Sequence, residues 1–213
     1  MIIKVCGMRD PLNIKQIAAI EAVDLIGMIF YPPSQRYVDS QQTADTIATF
    51  SPPRKVGVFV NEKAKIVAQK CAMYHLDYIQ LHGNETSQYI SELKKMLPEN
   101  IGFIKAFSVR SKQNIDLFQD YEGLCDYFLF DTPTSLYGGS GKSFDWSILE
   151  NYVGRTPFLL SGGISADSIE ELANFQHPQW AGIDLNSRFE TAPGLKDTDL
   201  LTDFIKRIKT IHP

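Results

Sequence analysis

Short apolar runs recur along the chain at intervals of one strand plus one helix. They end near Cys6, Phe30, Val60, His82, Ser108, Asp131, Ser161 and Asp184. Between them lie stretches whose apolar residues repeat at helical spacing. Runs such as Val56-Gly-Val-Phe-Val60 and Phe158-Leu-Leu160 do not alternate polar with apolar. Strands of that kind belong in a parallel sheet covered on both faces. Helix starts are marked as well. Asp10-Pro11 sets a cap acceptor before a proline whose missing N–H matters least in the first turn. Asn61-Glu62 and Asn84-Glu85 predict a cap followed by a negative charge near the positive end of the helix dipole.

Eight strand–helix units in 213 residues predict an α/β fold of the (β/α)₈ barrel type, at the compact end of its size range. A doubly wound open sheet is the alternative. No Gly-x-Gly-x-x-Gly fingerprint follows the first strand to support it. No linker, low-complexity stretch or charge run divides the chain, so residues 1–213 are expected to form one domain.

Composition narrows the function classes. A net charge of −4 and a pI near 5.6 argue against a general nucleic-acid binder. No apolar segment is long enough to predict a membrane span. The N-terminus runs straight into a strand, without the basic and apolar regions of a signal peptide. Three cysteines without paired spacing suit a reducing cytoplasm. His75, His82, His177 and His212 have no metal-ligand spacing, so no metal is expected.

In such barrels the active site lies at the C-terminal ends of the strands. The residues expected there are Cys6, Asn61, His82, Asp131, Ser161 and Asp184. Polar groups at so many strand ends must be hydrogen-bonded or used. Cys6 ends the first strand before Gly7. Its position alone fits a buried small hydrophobe as well as a base or nucleophile activated by nearby positive charge. Cys71 and Cys125 read as core residues. Asp131 ends the sixth strand and could cap the turn at Thr132. Gly138, Gly139, Gly141 and Lys142 follow in a loop able to close over a ligand, and closure would suit Asp131 to a general acid.

Ser161-Gly-Gly-Ile164 follows the seventh strand and Asn186-Ser187 the eighth. Loops at these two places commonly hold phosphate in barrels of this type, with glycines letting backbone N–H groups approach its oxygens. After the second strand, prolines in Phe30-Tyr-Pro-Pro-Ser-Gln-Arg-Tyr-Val38 stiffen the loop around Arg36, a guanidinium suited to a carboxylate or else a solvated loop residue. His82 shares a strand face with Gln80, as a ligand contact or as a hydrogen-bonded rim residue.

These segments together resemble one family. Lys4-Val-Cys-Gly-Met8, Gly27-Met-Ile-Phe-Tyr31 with Ser34-Gln-Arg-Tyr-Val38, and Val56-Gly-Val-Phe-Val-Asn61 resemble phosphoribosylanthranilate isomerases of tryptophan biosynthesis. So do Gln80-Leu-His-Gly83, Leu129-Phe-Asp-Thr132, Tyr137-Gly-Gly-Ser-Gly141, Ser161-Gly-Gly-Ile164, and Gly182-Ile-Asp-Leu-Asn-Ser187 with Pro193-Gly-Leu-Lys-Asp197. The match runs in order from near the first residue to the last helix.

The resemblance implies a (β/α)₈ barrel that converts N-(5′-phosphoribosyl)anthranilate into 1-(2-carboxyphenylamino)-1-deoxyribulose 5-phosphate by an Amadori rearrangement, without cofactor or metal. It implies Asp131 as general acid and Cys6 as general base. It implies Arg36 at the anthranilate carboxylate and Gly162, Gly163, Asn186 and Ser187 at the phosphate, with His82 and Asp184 as further active-site positions. The expected partner is this small phosphoribosyl substrate, with the protein a monomer or homodimer in the cytoplasm. Two positions depart from the family pattern: Gln35 stands where proline is usual, and Arg188 where glycine often follows the serine.

Other readings predict other residues. Indole-glycerol-phosphate synthase would need catalytic lysine and glutamate on the strands, and sugar-phosphate epimerases paired aspartates or metal-binding histidines. A non-catalytic binding subunit would lack Cys6 or Asp131. The related histidine-pathway aminoaldose carries two phosphates and would want a second phosphate site near strands 3 and 4.

Overall fold

The computed structural model describes residues 1–109, 118–131 and 146–212. Eight parallel strands close into a barrel in sequence order: β1 (Ile2–Val5), β2 (Leu25–Ile29), β3 (Arg54–Phe59), β4 (Tyr78–Leu81), β5 (Gly102–Ser108), β6 (Tyr127–Asp131), β7 (Phe158–Ser161) and β8 (Trp180–Leu185). The eighth strand pairs with the first, placing Lys4 beside Asp184 in register. Each strand ends within about a residue of the position its apolar run predicts.

Helices α1 (Pro11–Ala18), α2 (Gln41–Ile47), α3 (Ala64–Met73), α4 (Ser87–Lys94), α5 (Ile169–Asn174) and α6 (Thr198–Ile211) lie between and after the strands. Asp10 caps α1 as its sequence predicts, accepting from the Asn13 N–H at 2.8 Å. The other two expected caps are corrected. Helix α3 starts after Lys63, which makes no side-chain cap bond, and α4 is capped by Thr86. Asn61 instead adopts φ 51°, a left-handed turn that asparagine tolerates. Its Oδ1 accepts from the Asn84 N–H at 2.7 Å, tying the loops after β3 and β4 together. Glu85 is buried rather than set at a helix dipole. It pairs with Lys105 at 3.1 Å and accepts from the Asn61 and Gly83 N–H groups.

The repeating pattern predicts an α-helix after every strand. Between β6 and β7 the described helical piece is instead a 3₁₀ turn, Trp146–Asn151. A short hairpin that the pattern does not predict, β9 (Glu190–Ala192) with β10 (Leu195–Lys196), precedes α6. Among the described residues no helix is long and apolar enough to cross a membrane.

There are two apolar regions. The larger fills the layer between barrel and helices, with Phe103, Phe128, Phe130, Phe158 and Phe204 among its buried side chains. The smaller plugs the barrel interior with Leu25, Val56, Tyr78, Ile104, Leu129 and Leu159. These residues lie in the first half of most strands. Two positions further along, on the same faces, stand Gly27, Gln80, Asp131 and Ser161. The interior therefore changes from apolar to polar toward the C-terminal ends of the strands, as a site on that face requires.

Candidate active site

At that end a cavity of about 230 Å³ is lined by Cys6, Gln80, His82, Asp131, Ser161, Gly162, Gly163, Asp184, Asn186, Ser187 and Arg188, with Ile29, Val58 and Ile164. Of the expected site residues, all but Asn61 and Arg36 line it. The glycine-rich loop expected over Asp131, with Gly138, Gly139, Gly141 and Lys142, lies outside the described residues.

The side of the cavity at β1 and β8 is buried and charged. Lys4 is fully buried, and its Nζ donates to Asp184 Oδ1 at 2.8 Å. Ser161 Oγ donates to Asp184 Oδ2 at 3.4 Å. Burial by itself lowers the pKa of Lys4. The charges of Asp184 and Cys6 outweigh burial and hold the ammonium above its ordinary value. Cys6 is buried too. Burial pushes its thiol up and Asp184 adds to this, while Lys4 and Lys196 pull it partway back; the net direction is up.

The side at β4 and β6 is open. His82 and Asp131 keep about a third of their side-chain surfaces exposed, at 34% and 33%. Gln80 Nε2 lies 3.1 Å from His82 Nδ1, and His82 Nε2 lies 3.3 Å from Asp131 Oδ2. An amide nitrogen only donates, so Nδ1 accepts and the Nε2–H of a neutral His82 is aimed at Asp131. Gln80 Oε1 is buried with no hydrogen-bond partner among the described residues.

The floor beneath β7 and β8 suits an anion. Gly162 and Gly163 have φ 86° and 71°, a left-handed conformation natural to glycine, and both line the cavity. Asn186, Ser187 and Arg188, after the neighbouring strand β8, line the same cavity. Arg188 is exposed and makes no ion pair among the described residues, so it adds an uncommitted positive charge to the cavity wall.

Arg36 departs from expectation. Its Nε and Nη2 are taken by Glu190, at 2.9 and 2.5 Å to Oε1 and Oε2 respectively. Lys196 Nζ donates to the same carboxylate at 2.7 Å and to Asn186 Oδ1 at 2.8 Å. Burial would raise the Glu190 carboxyl, but Arg36 and Lys196 hold it below its ordinary range. The Nε/Nη2 edge of the guanidinium is thus committed within the protein, and a ligand carboxylate would meet what remains.

Sequence reading missed Lys4, Gln80, Glu190 and Lys196 as parts of the site. Lys4 carried a usable signal, since a lysine inside a four-residue strand of a fully covered sheet must be paired. Lys196 lay in Pro193-Gly-Leu-Lys-Asp197, a segment that resembles the family, but Glu190 carried no signal, because its hairpin had no strand pattern of its own.

A closed parallel barrel with titratable groups and glycines at its C-terminal rim places the chain in the (β/α)₈ class, with a polar cavity where enzymes of that class hold their sites. Comparison with known proteins narrows this. A model of the family described as N-(5′-phosphoribosyl)anthranilate (PRA) isomerase matches residues 3–207. An N-(5′-phosphoribosyl)anthranilate isomerase from Parabacteroides distasonis is 51% identical, covering 100% of this chain and 95% of its own. The crystal structure of phosphoribosyl anthranilate isomerase from Thermotoga maritima is 32% identical with TM-score 0.83, covering 99% of this chain and 100% of that one. A phosphoribosyl anthranilate isomerase solved in complex with reduced 1-(o-carboxyphenylamino)-1-deoxyribulose 5-phosphate is 28% identical with TM-score 0.81, at 99% and 100% coverage. The chain belongs to the phosphoribosylanthranilate isomerase family and is an isomerase.

Proposed function

We propose that this chain, acting as a single catalytic domain, performs the Amadori rearrangement of N-(5′-phosphoribosyl)anthranilate in tryptophan biosynthesis. Asp131 acts as general acid and Cys6 as general base. The observation carrying this reading is that a carboxyl group and a thiol from the ends of strands β6 and β1 face one cavity whose floor suits a phosphate.

The phosphate sits at Gly162, Gly163, Asn186 and Ser187, which sets the direction of the sugar. Asp131 gives its proton to the ribose ring oxygen, the bond from that oxygen to C1 breaks, and the nitrogen lone pair forms a C1=N iminium. The Cys6 thiolate then takes the C2 proton, and the C2–H electrons form the C1–C2 double bond of an enolamine. Tautomerisation gives the 2-ketone. The Nε2–H of His82 steadies the carboxylate that Asp131 becomes after proton transfer. Asp184, bonded to Lys4 and Ser161, is fixed beside Cys6. Arg36 takes the anthranilate carboxylate on the guanidinium edge that Glu190 leaves open.

The test is the fluorescence decay of freshly generated phosphoribosylanthranilate with purified protein. Asp131→Asn and Cys6→Ser should each lower turnover by roughly 10²–10⁴-fold while keeping the fold. Full activity in either variant removes that residue from its role.

A further inference from the structure

The proposed chemistry leaves the buried ammonium of Lys4 without a task. Lys4 is fully buried, its Nζ is held by Asp184 Oδ1 at 2.8 Å, and it stands two residues before Cys6, which directly follows β1. Residues two apart along an extended chain share a face. The neighbouring strand shows the same juxtaposition at Gly27. A Cβ built there would lie 2.9 Å from Cys6 Sγ and 3.3 Å from Lys4 Nζ. The thiol and the ammonium therefore border one small space that β2 leaves open by carrying no side chain.

Four charged groups bear on Cys6: Lys4 from β1, Asp184 from β8, Lys196 from β10 and Arg36 from the loop after β2. Lys196 and Arg36 are both committed to Glu190, which offsets their charge. Lys4 donates to Asp184 Oδ1 and also lies within hydrogen-bonding reach of the Cys6 thiol, while the Asp184 carboxylate is held by Ser161 as well.

We propose that Lys4 is a positioning residue whose ammonium is the counter-ion of the Cys6 thiolate, and that Asp184 opposes it by drawing on the same ammonium. The thiol can then give up its proton within a buried site without leaving an unpaired negative charge. Asp184 limits how far ionisation goes, so that the thiolate stays basic enough to take a proton from carbon. This rests on Cys6 being the base.

The two partners act in opposite directions, which separates a tuned charge from simple packing. Site-resolved alkylation of Cys6 by iodoacetamide, followed by mass spectrometry from pH 6 to 10, reads the thiolate directly. Lys4→Met should move the alkylation midpoint to higher pH. Below the midpoint, alkylation should slow about tenfold for every pH unit by which the midpoint rises. Asp184→Asn should move it to lower pH and speed alkylation. The pH profile of kcat should move with each. An unmoved midpoint in either variant, or movement of both in one direction, would overturn the proposal. If Lys4→Met does not fold by circular dichroism, Asp184→Asn decides alone: a lower midpoint supports the proposal and any other result ends it. Cys6→Ser keeps the two readings apart. Should it retain full turnover, Cys6 is not the base, while the alkylation profiles still decide whether Lys4 is its counter-ion.

Discussion

The two halves of the cavity solve the same problem by opposite means. The Cys6 half is sealed, and its electrostatics come from fixed charges on neighbouring strands and the β9–β10 hairpin. The Asp131 half is a third exposed and depends on a hydrogen bond to a histidine that is equally exposed. Fixed charges in a water-poor site act strongly and need no rearrangement at the moment of reaction. Charges in an open site are screened until a ligand covers them. Under the proposed roles, the protein would tune the base, and the substrate arriving over it would tune the acid.

The sharpest way to break this contrast is to remove the support under each half. Lys105 is buried with Glu85 beneath the loop that carries His82. Lys105→Met leaves Glu85 as an uncompensated buried carboxylate and should reduce unfolding free energy by about 3–5 kcal/mol, read by urea denaturation. A smaller loss would mean that the open half has a softer frame than its hydrogen bonds suggest.

The next largest effect is on pH dependence. The Cys6 thiol is held above its ordinary value, and only its thiolate can accept a proton. Activity should therefore rise with pH, about tenfold per unit below the Cys6 pKa. The acid limb of kcat/KM, measured with purified protein, would contradict the sealed-half picture if it were flat between about pH 6 and 8, the range just below an ordinary thiol pKa.

Glu190 tests the sealed half from its rim. Its carboxyl is held below the ordinary range by Arg36 and Lys196 against the effect of burial. For a depressed carboxyl the stabilisation is complete above the unfolded-state pKa and is lost as pH falls through the folded one. Wild-type protein should lose stability between about pH 5 and 3, and Glu190→Gln should lose less over that interval in parallel denaturant titrations. Equal losses would place the acid sensitivity elsewhere.

The smallest effect belongs to Arg188. An exposed charge of this kind is worth about 0.2–1 kcal/mol, so Arg188→Ala should raise KM by no more than about fivefold and leave kcat unchanged. A fall in kcat instead would show that the arginine acts during the chemistry.

Much of this was legible in the sequence wherever one local rule decided the outcome. Strand ends followed apolar runs, and the (β/α)₈ architecture followed their count. The Asp10 cap followed the residue before Pro11. Local reasoning failed where a distant residue competed for the same group. Asn61 and Asn84 looked like helix caps, yet their loops bind each other and leave the capping of α4 to Thr86. Glu85 read as a surface charge because Lys105, its partner, lies on the next strand. Arg36 looked free to hold a ligand because nothing near it in sequence announces Glu190, 154 residues away. Pairings of that kind depend on the closed barrel and have no signature in either segment alone.

That closure also orders the birth of the molecule. Strand β1, with Lys4, and Cys6 just after it, is made before the other barrel strands, its partner β8 with the carboxylate of Asp184 is made after them, and Lys209 of α6 then ties back to the carbonyl of Met1 at 2.7 Å. The strands bearing His82 and Asp131 are separated by β5 alone, which pairs with both, and they can associate while synthesis continues. On the ribosome, the half with His82 and Asp131 can therefore take shape before the half with Lys4 and Cys6, which waits for β8.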